Sequence, residues 1–409
     1  GMSDGLFLDG GEKMKQPHTV DCLVVGAGPV GSVAAERLAR YGHDVLMIEK
    51  RSEIGVPVRC GEGISKNLLQ LLDIHPDPKW VAREMDGAIV VSPSGKELIV
   101  GPEIAGPEVG FVIRRDMFDR ELAKKAANSG SDIWVMTEAR SFKKENGRAH
   151  VNCRTLNGSS TIKAKVVIAA DGFESGVARM AGMNPSLDQK NIDTCIQYQM
   201  QGVKVRGQYT EFFLGRDIAP GGYVWCFPKG PDTANVGIGV NLSMIRGKAR
   251  PKWYLDNFIK NNERFNKGKI IEVNGGGVSV GLPMEKTHDD NLIVVGDAAR
   301  MIDPLTGGGI YNGCSAAIEA ARAVHESIEE DRYDAGFLRR YEKYWRDRIE
   351  GDLVRNYIAK EKFLRVDDST IDKIVGAISE YDMIEVSTAE LLNALRSKYP
   401  EIVEDIFGT

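Results

Sequence analysis

The sequence predicts an α/β protein in which a doubly wound, mostly parallel sheet is interleaved with an antiparallel sheet and followed by a helical C-terminal region. Two observations favour the parallel sheet. An apolar run from Val20 leads into a glycine-rich turn and a helical pattern, and a second apolar run after Asn291 again ends in glycine. The alternating apolar runs 87–91 and 233–240 favour the antiparallel sheet. At 409 residues the chain is long enough for two such units around a shared site.

The first element is predicted to be a strand, a tight turn and a helix. The apolar run is followed by a Gly-x-Gly-x-x-Gly turn and then by a helical pattern that closes at Gly42. In this turn Gly26 permits the reversal, Gly28 lets the backbone approach a pyrophosphate, and Gly31 allows the helix to pack close to the strand. The N-terminus of such a helix attracts phosphate groups. The turn therefore predicts a dinucleotide site, although a glycine-rich turn alone can also serve only to reverse the chain.

An acidic residue supports the dinucleotide interpretation. The β-type run 44–48 ends in Glu49, which lies eighteen positions beyond Gly31. This spacing suits a carboxylate that binds a ribose hydroxyl. The strand, the helix and the acid agree with one another, but they do not distinguish FAD from NAD.

A distant second motif favours FAD. The apolar run 291–295 ends in Gly296-Asp297, and it is followed by the glycines 307–309, Ile310 and a helical run from Tyr311. The pattern resembles the closing motif of FAD proteins, in which the aspartate accepts a hydrogen bond from a ribityl hydroxyl and the helix start faces the flavin. The alternative is an ordinary turn after a strand. Between the two motifs, the apolar run 165–170 ends in Asp171-Gly172, which is also compatible with a plain turn.

These three motifs together resemble the p-hydroxybenzoate hydroxylase superfamily of flavoproteins, whose FAD domain is of the glutathione-reductase type. The stretches Pro-Val-Arg-Cys-Gly-Glu-Gly-Ile-Ser at 57–65 and Gly-Tyr-Val-Trp-Cys-Phe-Pro-Lys at 222–229 narrow the resemblance. They are similar to the geranylgeranyl reductase family, with its recurrent Tyr-x-Trp-x-Phe-Pro pattern, and most of all to its archaeal branch that acts on glycerophospholipid precursors. The alternative is a strand whose alternate aromatic residues pack on one face of a sheet.

The resemblance implies a set of ligand contacts. The implied substrate contacts are the aromatic residues Tyr223, Trp225 and Phe227. The implied FAD contacts are Gly31 at the pyrophosphate, Glu49 at the adenosine ribose, Arg115 on the phosphate side, Ala139 near the adenine, Cys60, Gly61 and Gly63 beside the flavin, and Asp297, Gly309 and Ile310 over the ribityl chain and ring.

The predicted domain organisation follows from the motifs and the resemblance. Residues beyond 331 have apolar side chains at helical spacing, and the basic residues Arg339, Arg340 and Lys343 lie among them. These basic residues are either a solvated helix face or a surface for anionic lipid. The predicted pieces are an FAD-binding domain over 18–85, 111–187 and 285–330, a substrate domain over 86–110 and 188–284, a helical region over 331–409, and a flexible N-terminus over 1–17.

The implied activity is reduction of isolated C=C bonds in geranylgeranyl chains of archaeal-type ether glycerophospholipid precursors, with hydride from N5 of reduced FAD. Alternatives are an aromatic monooxygenase, and a reductase of free geranylgeranyl diphosphate or of a chlorophyll side chain. A prenyl-binding escort protein is the non-enzyme alternative, which the intact glycine turn disfavours. No second nicotinamide motif follows the first, so ferredoxin, F420 and NAD(P)H all stay open as external electron donors.

An isolated alkene has no carbonyl group to polarise it, so we expect proton delivery to accompany hydride transfer. The loop before Gly63 offers two candidate donors. Cys60 is the first, because a thiol keeps its proton at neutral pH, and Glu62 is the second. The alternative is that Cys60 is a small residue that packs under the flavin ring.

The overall composition excludes some function classes. A net charge of -5 and a pI near 5.8 argue against a nucleic-acid binder. The six cysteines contain no CxxC pair, which predicts reduced thiols in a cytoplasm, and no metal site is predicted. No run of 18 apolar residues occurs, so any membrane contact is expected to be peripheral, at the inner face.

Overall fold

Five parallel strands form the central layer of the FAD side of the molecule. The computed structural model describes residues 18–105, 110–384 and 388–407, so the predicted flexible N-terminus at 1–17 lies outside the described residues. The strand order is Leu292–Val294, Gly158–Ala169, His18–Val25, Val45–Ile48 and Asp132–Trp134. Strands Glu138–Glu145 and Arg148–Thr155 extend Gly158–Ala169 in antiparallel fashion, and His288–Asp289 pairs with the edge strand.

Burial on both faces explains why the central strands are almost entirely apolar. Cys22, Leu23 and Val24 are fully buried, as are Val45 and Leu46 on the next strand. A parallel strand that is covered on both sides has no solvent face to fill with polar residues. The helices that accompany this sheet are Pro29–Arg40, Lys66–Leu72, Arg115–Asn128, Gly176–Met180 and Ile310–Glu329.

A seven-stranded sheet forms the second layer. Its strands lie in the order Lys269–Ser279, Ile192–Gln201, Thr233–Asn241, Tyr223–Pro228, Tyr209–Phe213, Gly87–Val91 and Glu97–Val100. All neighbours are antiparallel except Tyr209–Phe213 and Gly87–Val91, which pair in parallel. One face packs against helix Pro251–Lys260, with the side chains of Tyr198, Val236 and Leu255 in the shared core. The opposite face carries the aromatic residues that the sequence singled out.

A small three-stranded sheet connects the two layers. Its strands are Gly63–Ser65, Gly110–Ile113 and Val81–Glu84, with the second in the centre. The loop that contains Cys60 leads directly into the first strand, and helix Arg115–Asn128 begins just after the central one. This sheet therefore fixes the position of the loop relative to the start of the helix.

The C-terminal region is helical, as predicted. Together with the parallel and antiparallel sheets, it confirms the predicted fold class. The predicted apolar stripe is buried, with Trp345 and Tyr341 inaccessible to solvent and packed into the core of the parallel sheet. Among the described residues, no helix combines the length and the apolar character needed to span a membrane.

We propose that the FAD-binding domain is built around the parallel sheet and the substrate domain around the seven-stranded sheet, with the domain bounds that the sequence predicts. The helices are Ala335–Leu338, Arg340–Trp345, Gly351–Phe363, Asp368–Ser379, Thr388–Lys398 and Pro400–Ile402, with Pro102–Ala105 earlier in the chain.

Candidate active site

The first glycine turn leaves a helix N-terminus open. Gly26 has a φ of 105°, and a Cβ there would lie 2.2 Å from the carbonyl oxygen of Ala170. A Cβ on Gly31 would lie 1.8 Å from the oxygen of Gly26, so the helix packs directly on the turn. Among the residues that the structure describes, a Cβ on Gly28 would meet nothing within 4 Å, and no side chain caps helix Pro29–Arg40. The turn thus presents free backbone N–H groups to open space, which suits a phosphate.

Glu49 lies beside this turn at the end of its strand. Its Oε1 is 3.5 Å from the backbone nitrogen of Ala27, and its Oε2 accepts a 3.0 Å hydrogen bond from the backbone N–H of Arg51. The backbone N–H of Thr137 donates to the carbonyl oxygen of Glu49 at 2.8 Å. Ala139, two residues further along, is buried. The structure therefore brings the predicted ribose acid and the predicted adenine contact to the same edge of the sheet.

Asp297 and Gly309 form the second half of the predicted dinucleotide site. A Cβ on Gly309 would lie 2.8 Å from Oδ1 of Asp297, and no described side chain caps helix Ile310–Glu329. Burial raises the pKa of the Asp297 carboxyl, whereas the charges of Arg115 and Arg300 act in the opposite direction. Within the described part of the chain, no donor hydrogen-bonds to the carboxylate oxygens of Asp297. The carboxylate is therefore available to accept a hydrogen bond from a ligand hydroxyl.

Glu62 is the anchor of the loop 60–63. It adopts a positive φ of 71° and is 4% exposed. Its Oε1 accepts hydrogen bonds from Lys229 Nζ at 2.6 Å and from Asn235 Nδ2 at 3.0 Å. Its Oε2 accepts from the backbone N–H of Arg115 at 2.8 Å. One carboxylate thus joins the loop to the seven-stranded sheet and to the start of a helix.

Cys60 lies between a cation and the seven-stranded sheet. Its Sγ accepts a hydrogen bond from the backbone N–H of Glu62 at 3.1 Å, and its carbonyl oxygen accepts from Gln197 Nε2 at 2.9 Å. Arg115 forms a bidentate pair with Asp119, at 2.8 and 3.0 Å. Burial alone would lower the pKa of the Arg115 guanidinium, but Asp119 and the neighbouring Cys60 raise it, so the cation persists beside the thiol.

The predicted aromatic residues share the sheet face that looks toward this loop. The ring of Phe227 lies directly under the loop, because a Cβ on Gly61 or on Gly63 would meet it at 2.6 or 3.2 Å. The ring centroids of Tyr223 and Trp225 are 5.9 Å apart, and those of Trp225 and Phe227 are 6.4 Å apart. Both glycines are therefore needed for the close approach of the loop to the ring.

Two hydrogen bonds fix these aromatic side chains. The indole N–H of Trp225 donates to Gln197 Oε1 at 2.8 Å, and the same amide donates to the Cys60 carbonyl. The hydroxyl of Tyr223 donates to the carbonyl oxygen of Thr306, in the loop that precedes Gly309. The aromatic face is thereby connected to both loops of the candidate site.

The chain is similar to proteins of known class along nearly its whole length. The model of an FAD binding domain matches residues 19–213, and that of a geranylgeranyl reductase catalytic domain matches residues 191–278. A digeranylgeranylglycerophospholipid reductase from Thermoplasma volcanium is 46% identical over 392 residues, which cover 95% of this chain and 99% of the relative. The chain belongs to the geranylgeranyl reductase family.

Two further proteins support this membership of the geranylgeranyl reductase family. A relative with the same name from Thermoplasma acidophilum is also 46% identical, over 95% of this chain and 99% of its own length. A solved structure, described as a geranylgeranyl bacteriochlorophyll reductase-like protein from Thermoplasma acidophilum, gives a TM-score of 0.91 at 44% identity. That match covers 96% of this chain and 99% of the other. The protein is therefore an FAD-dependent oxidoreductase, as predicted.

The residues of this family member fit FAD on geometric grounds. A dinucleotide has two phosphates, and the open helix N-terminus at Gly28 offers them a positive dipole end. The flavin has a hydroxylated ribityl chain, and Asp297 offers it an acceptor that no described donor occupies. The second open helix start, at Gly309, lies next to that acceptor. The assignment of individual contacts remains our proposal.

Sequence reasoning missed several residues of this site. Gln197, which connects Trp225 to the Cys60 loop, lies 137 positions from Cys60. Lys229, just after one strand, and Asn235, on the next strand, hold Glu62 from more than 160 positions away. Lys229 directly follows the Tyr-x-Trp-x-Phe-Pro pattern, which was the one available indication that it lies near the site.

Proposed function

We propose that the protein saturates isolated C=C bonds of geranylgeranyl chains in an archaeal-type ether glycerophospholipid precursor. The observation that carries this proposal is the position of the Cys60 loop. The loop lies between the open FAD-type turns and an aromatic sheet face, with Phe227 in contact with two of its glycines. The names of the relatives support the choice of a prenylated glycerophospholipid.

The proposed FAD contacts are those that the family resemblance implies. The glycine turn 26–31 holds the pyrophosphate, Glu49 the ribose, and Asp297 the ribityl chain, while the loop 60–63 runs beside the ring. When bound and reduced, FAD supplies the hydride. Arg115 keeps its positive charge through its pair with Asp119. It interacts with both Cys60 and Asp297, so it stabilises negative charge on either group.

The Cys60 thiol is the proposed proton donor. One proton must be added for each hydride, because the alkene gains two hydrogens. The neighbouring Arg115 guanidinium stabilises the thiolate that remains at Sγ after the proton has left. Glu62 is less suited, since its carboxylate is paired with Lys229 and accepts two further hydrogen bonds. We assign Glu62 the role of holding the loop.

The substrate chain is proposed to lie along the strand Ile192–Gln201. A cleft of about 360 Å³, lined by Asn191 and Tyr357 among others, lies at the start of this strand. Five residues separate Ile192 from Gln197, which is about 17 Å in a strand. Lys360 Nζ hydrogen-bonds to Asn191 Oδ1 at 2.8 Å beside the cleft. A polar headgroup in the cleft would therefore let a prenyl chain reach the Cys60 loop.

The aromatic side chains suit an alkene that becomes positively charged during protonation. Protonation of a trisubstituted alkene places positive charge on the more substituted carbon. The ring faces of Trp225 and Phe227 attract such charge by about 0.5 to 2 kcal/mol. They also exclude the water that would otherwise capture it.

The test of this function is the fate of the reduced protein with and without oxygen. The FAD-loaded protein, reduced with dithionite under anaerobic conditions, is mixed with a geranylgeranylated glycerophospholipid, and the lipid is then analysed by mass spectrometry. We expect anaerobic flavin reoxidation and a lipid that has gained one hydrogen pair per bond reduced. Strict dependence on oxygen together with a hydroxylated product would contradict the proposal and favour an aromatic monooxygenase. In the cell, an external donor such as ferredoxin, F420 or NAD(P)H is proposed to supply the electrons.

A further inference from the structure

A strongly basic segment lies on the face of the seven-stranded sheet opposite the candidate active site. Residues 246–273 contain eight Lys or Arg and three Asp or Glu, a net charge of +5 in a chain whose total is -5. The segment comprises helix Pro251–Lys260, the turn after it and the first residues of edge strand Lys269–Ser279. Six cations have exposed side chains and no acidic partner among the described residues: Arg246, Lys248, Arg250, Lys260, Lys267 and Lys269.

Large apolar side chains project from the same segment. Trp253 is 58% exposed, Ile271 60% and Val273 58%, and Ile270 is also exposed. The other four tryptophans of the chain are buried or half-buried. An exposed cluster of this kind is uncommon on a soluble surface and marks an interaction site. Tryptophan with lysine and arginine is the combination that membrane interfaces favour.

The helix packs on strand Ile192–Gln201, and the edge strand is the next strand of the sheet. Val273 is paired with Tyr198 of the neighbouring strand, so their side chains lie on the same face of the sheet. The Tyr198 hydroxyl donates to Asp256 Oδ1 at 2.6 Å, and Lys252 Nζ lies 6.0 Å from the centre of the same ring. Tyr198 thereby connects the helix to the edge strand, and we call the exposed surface of residues 246–273 the helix-edge surface.

The basic residues of the C-terminal region differ in that most are already neutralised. Arg340 pairs with Glu326 at 2.8 Å, Lys343 with Asp347 at 2.7 Å, and Arg348 with Glu319 at 3.1 Å. Cations that are paired within the protein have less charge to offer an anionic partner. Of the two basic regions, the helix-edge surface is the one with unpaired charge and apolar side chains together.

We infer that the helix-edge surface is a peripheral binding site for an anionic lipid bilayer. Its free cations interact with lipid phosphates, and Trp253, Ile271 and Val273 enter the boundary between headgroups and acyl chains. Binding of this surface to a bilayer does not require the reductase reaction, but the role that we assign to the binding rests on the proposed function. A lipid substrate with two long prenyl chains resides in a membrane, and the surface would hold the enzyme there.

The test compares two triple variants that each remove three positive charges. Lys248→Gln, Arg250→Gln and Lys260→Gln change the helix-edge surface, and Arg340→Gln, Lys343→Gln and Arg348→Gln change three paired cations of the C-terminal region. The FAD-loaded proteins are sedimented with vesicles of phosphatidylcholine and phosphatidylglycerol that contain no substrate. Each surface cation contributes about fivefold to binding, so we expect the first variant to bind about 100-fold more weakly. The second is expected to bind within about twofold of wild type.

A second readout follows tryptophan fluorescence. The emission of the wild type is expected to shift to the blue on anionic vesicles, and Trp253→Ala is expected to abolish the shift. Binding should also weaken with salt, because the Debye length falls from about 10 Å at 0.1 M to about 3 Å at 1 M. Equal loss of binding in both triple variants, or no binding by the wild type, would overturn the inference. Because the vesicles contain no substrate, neither result depends on the proposed reaction, which is tested with detergent-solubilised lipid.

Discussion

The two sides of the candidate active site are built in different ways. On the FAD side, the candidate contacts come from backbone turns, and residues close in sequence set the shape of each turn. Examples are the glycines 26–31 and Gly309, which lies beside Asp297. On the substrate side, Gln197 and Lys229 reach the Cys60 loop from strands that are more than 130 residues away. The first side is therefore specified locally, and the second depends on the packing of the whole fold.

The two sides meet at the loop 60–63, where Glu62 receives hydrogen bonds from both. Its carboxylate accepts from Arg115 on the FAD side and from Lys229 and Asn235 on the substrate side. The sulfur and the carbonyl oxygen of neighbouring Cys60 accept hydrogen bonds, and its S–H donates none within the described part of the chain, so the proton remains available. In this comparison Glu62 joins the two sides, and Cys60 lies between them.

The largest expected effect is the loss of unfolding free energy when the Glu62 carboxylate, which joins the two sides of the site, is removed. Glu62→Ala leaves the side chain of Lys229, which is 10% exposed, without its counter-ion. Loss of one partner of a buried pair costs about 3 to 5 kcal/mol of unfolding free energy, which a urea titration would measure. The matched control is Glu84→Ala, whose pair with Lys66 at 3.2 Å is exposed and worth about 0 to 1 kcal/mol. Similar losses in both variants would mean that Glu62 is not a junction.

The sequence predicted the turn and the neighbouring acid on the FAD side, but not the hydrogen bonds on the substrate side, and the physical reason is the separation of the partners along the chain. The turn at Gly26 and the acid at Glu49 are separated by one strand and one helix, so their spacing fixes their relative position. The pairing of Glu62 with Lys229 spans 167 positions and depends on which strands become neighbours. Alternation predicted that Trp225 faces one side of a sheet, but not that Gln197 would receive its indole N–H.

The second prediction concerns Asp193, on the substrate side. Burial raises the pKa of this carboxyl to about 6, although a hydrogen bond from Asn241 and the charge of Lys360 act against it. A raised carboxyl pKa gives stability that is complete below the unfolded pKa near 3.8 and is lost as pH rises through about 6. The wild type should therefore lose about 2 to 3 kcal/mol relative to Asp193→Asn between about pH 4 and pH 6.

Unfolding free energies at several pH values would check this prediction. The control is Asp188→Asn, which removes an exposed carboxylate five positions earlier in the chain. A constant difference between the wild type and Asp193→Asn across this range would show that Asp193 is not perturbed. That result would also mean that the burial of Asp193 does not support a substrate chain along the strand Ile192–Gln201.

The third prediction concerns the FAD side. Glu49→Ala removes a charged acceptor from the proposed ribose site, so FAD affinity should fall by about 1.5 to 3 kcal/mol, measured by titration of the apoprotein. Glu53→Ala changes a nearby carboxylate that is 59% exposed and pairs with Arg120, and it should leave the affinity unchanged. Unchanged affinity in Glu49→Ala would mean that the local motif is misassigned and that the two sides of the site are less distinct than the comparison holds.

The most direct test of the central claim is the anaerobic rate at which a geranylgeranylated glycerophospholipid reoxidises the reduced wild-type protein and its Cys60→Ala variant. We predict that the wild type reacts without oxygen and that the variant retains FAD and lipid binding but reacts about 100- to 10,000-fold more slowly. Cys60→Ser should recover little of the rate, because a hydroxyl is a much weaker acid than a thiol. A wild type that never reacts without oxygen would contradict the reductase, and a Cys60→Ala rate near that of the wild type would contradict the thiol as proton donor.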